Sequence, residues 1–273
     1  MYNNYIMVIH IFNVEHGNCS LVILPSGERI MIDCGHNSTT GWRPSYWVSQ
    51  NGGWITNLTI TNFDEDHVSD LANIYPRYTV RSLCKNWNVD AQWIRTKKAQ
   101  TGIGPGINTL LTMINNFTGP PLDTTWGGAL VERFCLSPSQ YNDENSLSLV
   151  TFIQFLGIRI VFPGDLTHDG WQALLRNERF RQLLSQTNIF IASHHGRQNG
   201  YCEEVFNLCN PSIIIISDKC LSYDTQQVDY RQYASGITWN QSLVRYVLTT
   251  RNDGNLKIEN DQYESFIITA YGS

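Results

Sequence analysis

The sequence has no C-x-x-C pair, no basic excess, no apolar run long enough to cross a bilayer and no internal repeat. Each absence excludes a class. Its seven cysteines (Cys19, Cys34, Cys84, Cys135, Cys202, Cys209 and Cys220) are odd in number and spaced for neither a zinc knuckle nor a disulfide framework. They read as free thiols in a reducing cytoplasm. A net charge of −5 argues against a protein that grips long nucleic acid through a broad basic surface. No stretch approaches the run of about 18 apolar residues of a membrane helix, and Met1-Tyr2-Asn3-Asn4-Tyr5 lacks the basic start of a signal peptide. A cytoplasmic protein with no membrane role is expected. Gly102 to Gly106 has neither a G-K-[ST] ending nor a buried strand before it, so it is no phosphate loop.

What remains is a packed chain of 273 residues, 42% hydrophobic, 12% aromatic and only 16% charged, far from the composition of disorder. Residues 6 to 33 read as a meander of strands with a turn at Pro25-Ser26-Gly27. ITNLTIT adds a strand, and HVSDLANIYPRY starts a helix that ends at or before Tyr75, because Pro76 disfavours helix in the residue before it. Residues 77 to 140 read as an irregular insertion, helical only over NTLLTMINNF, with Trp87, Trp93 and Trp126 scattered through it and an exposed basic loop at Arg95-Thr96-Lys97-Lys98. SLSLVTFIQF and GIRIVFPGD are strands, followed by one helix from about Thr167 to Ser185. TNIFIASHHG and NPSIIIISD are buried strands on either side of a helix at CEEVFNLC, and SLVRYVLTT, GNLKIE and ESFIITA close the chain as β segments. The alternation predicts one domain, 1–273, with sheets inside and helices outside, an α/β or α+β sandwich.

The chemistry gathers at strand ends. TNFDEDHVSD, residues 61 to 70, holds four carboxylates and a histidine. Asp66 has a bland role available as a helix cap. Capping leaves Asp64 beside two further carboxylates, a costly arrangement without a cation, and for this segment alone capping and metal binding stand even. VFPGDLT delivers Asp165 into a glycine turn, and IFIASHHG delivers His194 and His195 in the same way. Rigid strands hold ligands within the tolerances that coordination requires.

These segments, in this order, resemble the metallo-β-lactamase superfamily, and more narrowly the β-lactamase-like domain of ComEC-type bacterial DNA-uptake proteins and their stand-alone relatives. The resemblance lies in FNVEHGNCSLVILPSGERIMIDCG at 12–35, TNFDEDHVSDL at 61–71, NDENSLSLV at 142–150, IRIVFPGDL at 158–166 and ASHHG at 192–196. It implies an αββα sandwich in which Asp66, His67, Asp165 and one of the paired histidines hold a divalent ion. His194 is the expected ligand, with His195 reaching the substrate, and the reverse assignment stays open. Asp33 would brace the metal loop from behind, although a turn aspartate before Gly35 accounts for it equally. His10, His16, His36 and His168 are given no role in the site.

The departures matter. Where the superfamily has its first two histidines this chain has Asn62 and Asp64, and Asn145 stands about where a later one belongs. A first site built from Asn62, Asp64, Asn145 and Asp165 would be all oxygen, which suits Mn²⁺ or Mg²⁺ better than Zn²⁺. One or two ions are therefore expected. The implied activity is metal-assisted hydrolysis with Asp66 or Asp64 orienting the water, and the substrate a phosphodiester in nucleic acid or a nucleotide, with the tryptophans as stacking platforms or core residues. Two alternatives stand beside it: a degenerate hydrolase fold serving as a scaffold or partner-binding subunit, and a glyoxalase- or lactonase-like hydrolase, which would ordinarily keep the histidines replaced here; a protein partner or a homo-oligomer is compatible with any of the three.

Overall fold

The computed structural model describes residues 5–117, 125–219, 230–239, 242–261 and 263–272. The Met1 start, Gly119-Pro120-Pro121 and Cys220 lie outside them. Two large sheets carry the fold. The first runs in the order β17 (Phe266–Tyr271), β16 (Asn255–Asn260), β1 (Val8–Ile11), β2 (Ser20–Ile23), β3 (Arg29–Ile32), β5 (Asn57–Thr59), β7 (Leu83–Cys84). The second runs β15 (Val247–Thr249), β12 (Ile213–Ile216), β11 (Ile189–Ile191), β10 (Ile158–Phe162), β9 (Val150–Phe155), β8 (Leu130–Phe134). Two-stranded ribbons, β4 (Trp54–Ile55) with β6 (Thr79–Val80) and β13 (Ile237–Trp239) with β14 (Leu243–Arg245), lie apart from them.

The side-chain period of a strand sorts the layers. Ile30 and Ile32 of β3, Ile158, Ile160 and Phe162 of β10, and Ile213 and Ile215 of β12 share one core between the sheets. The alternate residues face outward. Met31 packs with Leu71, Ile94 and Leu110 from helices over the first sheet. Val161, Phe190 and Ile214 pack with Trp171, Phe180 and Leu183 from helices over the second. Three cores between four layers make the αββα sandwich that the sequence implied. Strands such as β12, buried on both faces, read as uninterrupted Ile runs for that reason.

Within each sheet the strands nearest the site are parallel, β3–β5–β7 in the first and β10–β11–β12–β15 in the second. Parallel strands bring their carboxyl ends to one side, where open α/β sheets form ligand crevices. The segments after β3, β5, β10, β11 and β12 contain Asp33, Asn62 to His67, Asp165, His194-His195 and Ser217.

Three expectations change. The single helix over 167–185 is two, His168–Leu174 and Glu178–Gln186, because Asn177 accepts a hydrogen bond from the Phe180 amide at 3.0 Å and starts a new helix there. The 77–140 insertion is more regular than expected, with helices Ala91–Lys98 and Pro105–Asn116 and the strand β8. Arg95 to Lys98 is no exposed loop. It is the last turn of a helix, in which Lys98 is buried.

Candidate metal centre

Asp33 follows β3 with a left-handed backbone, φ 58°, unusual for a residue with a Cβ. Fully buried, it accepts from the Thr61 amide at 2.7 Å, the Thr61 hydroxyl at 2.5 Å and the Asn18 amide group at 3.0 Å. Its Oδ2 also stands 2.8 Å from His67 Nδ1. His67 therefore donates from Nδ1 to Asp33 and turns Nε2 the other way, toward Asp165 Oδ1 at 3.1 Å. The helix Glu65–Val68 that carries His67 sits close against the loop after β3. A Cβ added to Gly35 would lie 2.2 Å from the Asp66 carbonyl oxygen, so only glycine permits the approach.

Asp165 arrives from β10 through Pro163-Gly164. Gly164 has φ +60°, and a Cβ there would lie 2.7 Å from Thr61 Oγ1. Ser148 Oγ accepts from the Asp165 amide at 3.1 Å and fixes the turn. The loop after β11 is tied to it, since the His194 amide donates to the Gly164 carbonyl at 3.0 Å. His194 and His195 then take consecutive left-handed conformations, φ 49° and 55°. Such strain in a buried loop is characteristic of functional sites. It aims the two rings differently.

His195 is the ring that enters the cluster. Its Nδ1 donates to the Ser217 carbonyl at 3.0 Å, and its Nε2 lies 3.5 Å from Asp165 Oδ1 and 3.6 Å from Asp66 Oδ2. His194 Nε2 is 3.8 Å from Asp165 Oδ2 and accepts instead from the Arg197 guanidinium at 3.0 Å. That lone pair is engaged, so of the two paired histidines it is His195, not His194, whose Nε2 meets Asp165 and Asp66 together. Asp66 is no helix cap either. The first turn of its helix has no side-chain cap, and its carboxylate faces His195 and His16.

The expected oxygen-rich first site is not assembled. Asp64 Oδ1 is paired with the Lys98 ammonium, which also pairs with Glu144. Asn62 donates to Asn145 Oδ1 at 2.8 Å and to Ser148 Oγ at 3.3 Å, and its own Oδ1 accepts from the Asp64 amide at 3.0 Å. These residues satisfy one another. Their polar atoms are consumed by hydrogen bonds rather than turned toward a shared point.

Two neighbours escaped the sequence. His16 Nε2 is 3.8 Å from Asp66 Oδ2, with its ring centroid 4.4 Å from that of His195, and Arg197 donates to it at 2.7 Å. The only signal was that EHG at 15–17 follows a strand inside the first matching segment. Nothing in the sequence marks the Ser217 carbonyl.

The ligand atoms fit a cation. His67 Nε2 and His195 Nε2 are buried and lack a well-aligned hydrogen bond, an expensive state for a polar atom. Each ring's other nitrogen is held by a carboxylate or a carbonyl, the usual arrangement behind a ligating histidine. His67 Nε2 and His195 Nε2 lie 3.1 and 3.5 Å from Asp165 Oδ1, close to the edge of a tetrahedron with ion–ligand bonds of about 2.0–2.2 Å, and Asp66 Oδ2 adjoins this triad through His195 at 3.6 Å. The same groups act on one another's charge. Burial opposes the charged His67 ring, but Asp165, Asp33 and Asp66 outweigh it and hold the ring protonated well above the usual histidine range. Burial likewise opposes ionised Asp165, and His67 and His195 overcome it, keeping the carboxylate far below its ordinary range.

No family model matches the chain, and no curated protein matches it. Among solved structures it is similar to the metallo-β-lactamase fold protein YhfI from Bacillus subtilis, at 8% identity over 91% of this chain and 98% of that one, with a TM-score of 0.47. It is also similar to a diphosphatase of the PhnP family, at 10% identity over 91% and 96% with a TM-score of 0.46. A third likeness is to the short form of human tRNase Z, at 14% identity over 79% and 96% with a TM-score of 0.38. At such identities the likeness is one of chain path and says nothing of what this chain binds.

Proposed function

We propose that this protein is a metal-dependent hydrolase of phosphodiesters, acting on nucleic acid or nucleotides. One observation carries the reading. His67 Nε2 and His195 Nε2, both buried and without well-aligned hydrogen bonds, converge with the Asp165 carboxylate, each ring locked from behind by Asp33 or the Ser217 carbonyl. Asp66, His67, Asp165 and His195 would hold a divalent ion, Mn²⁺ or Zn²⁺ before Mg²⁺, since two imidazoles among the ligands suit the first pair better. When bound, such an ion polarises a phosphoryl oxygen and acidifies a nearby water.

The chain's own groups do the rest. The Asp66 side chain, 31% exposed, is the member of the cluster that meets solvent, and its carboxylate orients the attacking water and takes its proton. Arg197, held between His16 and His194, sets a fixed positive charge on the same rim, where the oxygens of an anionic substrate arrive. In a cleft of about 410 Å³ lined by Trp93, Thr96, Lys97, Gln100 and Asn142 the Lys97 ammonium stands 5.5 Å over the Trp93 ring, and there it can meet a substrate phosphate. Trp87, 60% exposed, gives an exposed ring on the same insertion, a stacking platform for a base.

The test is hydrolysis of a generic phosphodiester by metal-stripped protein with Mn²⁺ or Zn²⁺ added back, compared with a thioester and a lactone. Metal-dependent phosphodiester cleavage that disappears in Asp165→Ala and His67→Ala is expected. Cleavage unchanged in both variants sinks the proposal.

A second reading, a non-catalytic partner-binding subunit, draws on the self-satisfied network of Asn62, Asp64 and Lys98. Elemental analysis separates the two, because a subunit without catalysis has no need of an ion at His67 and His195.

A further inference from the structure

Lys98 is the odd residue of this molecule. It ends the helix Ala91–Lys98, is only 5% exposed, and brings its ammonium between the carboxylates of Asp64 and Glu144. A lysine is almost never buried without partners, and here the partners lie on the two segments that lead to residues of the candidate centre. Asp64 lies two positions before Asp66. Glu144 adjoins Asn145, which Asn62 joins to Ser148, the residue whose hydroxyl receives the Asp165 amide. The hydroxyl of Ser146 continues the same segment, bonding Asp143 at 2.8 Å.

Resting on the hydrolase reading above, we infer that the centre holds a single divalent ion and that the Lys98 ammonium is a fixed cation standing where a second ion would otherwise be drawn by Asp64 and Glu144. Two carboxylates this close need a positive charge, and the insertion supplies it covalently. An ammonium has donors only and no acceptor, so it neutralises the pair and denies the position to a metal. A second group of potential ligands is also engaged by a cation. His16, Asp66 and His195 place ligand atoms near one another, but Arg197 donates to His16 Nε2 at 2.7 Å, and that nitrogen cannot bind an ion at the same time. What remains is the triad of His67, Asp165 and His195, with Asp66 reaching it from the side of His195, which is sufficient for one ion.

The insertion thus acquires a role beyond covering the sheet. By ending on Lys98 it fixes the stoichiometry of the centre and pins the 61–67 loop against the 142–148 segment. Lys98 is a positioning residue here, with no contact to reacting atoms assigned to it.

Titration of chelator-stripped, full-length protein with Mn²⁺, read by calorimetry and by elemental analysis after desalting, tests this. Wild type and Lys98→Arg are expected to take up one equivalent. Lys98→Gln is expected to take up a second, weaker equivalent that disappears again in Lys98→Gln/Asp64→Asn. Two equivalents in wild type, or one in a Lys98→Gln protein with native near-UV circular dichroism, overturns the inference and leaves the hydrolase reading intact. No uptake by wild type removes that reading, and the inference with it. Should Lys98→Gln fail to fold, Asp64→Asn in the wild-type background decides. One equivalent bound within about threefold of wild-type affinity is expected of a residue that is no ligand, whereas a ligand's loss, tenfold or more, overturns the inference.

Discussion

His67 Nδ1 and Asp33 Oδ2 lie 2.8 Å apart with both side chains wholly buried. The bond fixes the tautomer of the ring as well as its angle, since Nδ1 must donate and Nε2 is left to face Asp165. Asp33→Asn can keep the shape but loses the charge, and its amide group can present a donor to a donor. Metal affinity should fall by about 10–100-fold, measured by competition with a chromophoric chelator. Unchanged affinity would show that the brace is only packing.

The two histidines that adjoin in sequence should separate in function. His195→Ala removes a ring whose Nε2 lies within 3.6 Å of both Asp165 and Asp66, whereas His194→Ala removes one whose Nε2 accepts from Arg197. The expected outcome is loss of tight Mn²⁺ or Zn²⁺ binding in the first variant and retention in the second. Isothermal titration on the two purified proteins checks it, and the opposite ranking would restore His194 as the ligand.

Metal affinity should rise with pH through and above neutrality. Burial works against protonated His67 and His195, yet Asp165 and its neighbours raise both rings above the ordinary value of 6.5. Both must lose their Nε2 protons to ligate, so each proton released is worth up to about tenfold in affinity per pH unit below its folded value. The metal-free protein behaves in the opposite sense. Stability contributed by the two raised rings is fully present below pH 6.5 and is lost as pH rises through their folded values. Thermal melts of stripped and loaded protein across pH 6 to 9 should therefore diverge, and parallel curves would contradict the arrangement.

The sequence showed which segments meet but not how the side chains turn. Strand-end aspartates and histidines were legible because apolar runs such as IRIVF and IFI stop at glycine or at polar residues, and parallel strands carry those stops to one side. The choice between His194 and His195 was not legible, for it depends on consecutive left-handed residues that no local preference predicts. Lys98 was misread for a related reason. Its neighbours Arg95 and Lys97 suggested a solvated run, and only the helix period places Lys98 on the buried face. His16 and Arg197 stayed hidden because they enter from segments 181 residues apart.

Asp218, next to the Ser217 carbonyl that holds His195, supplies a prediction about stability. It follows β12 with its side chain 3% exposed, and lines a cavity of about 370 Å³ with Asn13, Glu15, Asn37, Lys219 and Arg251. Burial pushes its carboxyl up to about 6, even though Arg251 Nη1 lies 3.2 Å away and, with His195, pulls the other way. An aspartate raised above its unfolded value of 3.8 costs stability as pH rises. The unfolded chain gives up its proton first, the penalty grows until the folded group ionises near pH 6, and it persists above. Asp218→Asn removes the charge at nearly constant shape, so the variant should be more stable than wild type at pH 7 by about 1–3 kcal/mol. That margin should shrink as pH falls from 6 toward 4. Urea denaturation of metal-free protein at pH 4.5 and pH 7.5 measures both margins. A variant less stable than wild type at the higher pH would mean that the Arg251 pair outweighs the burial of Asp218.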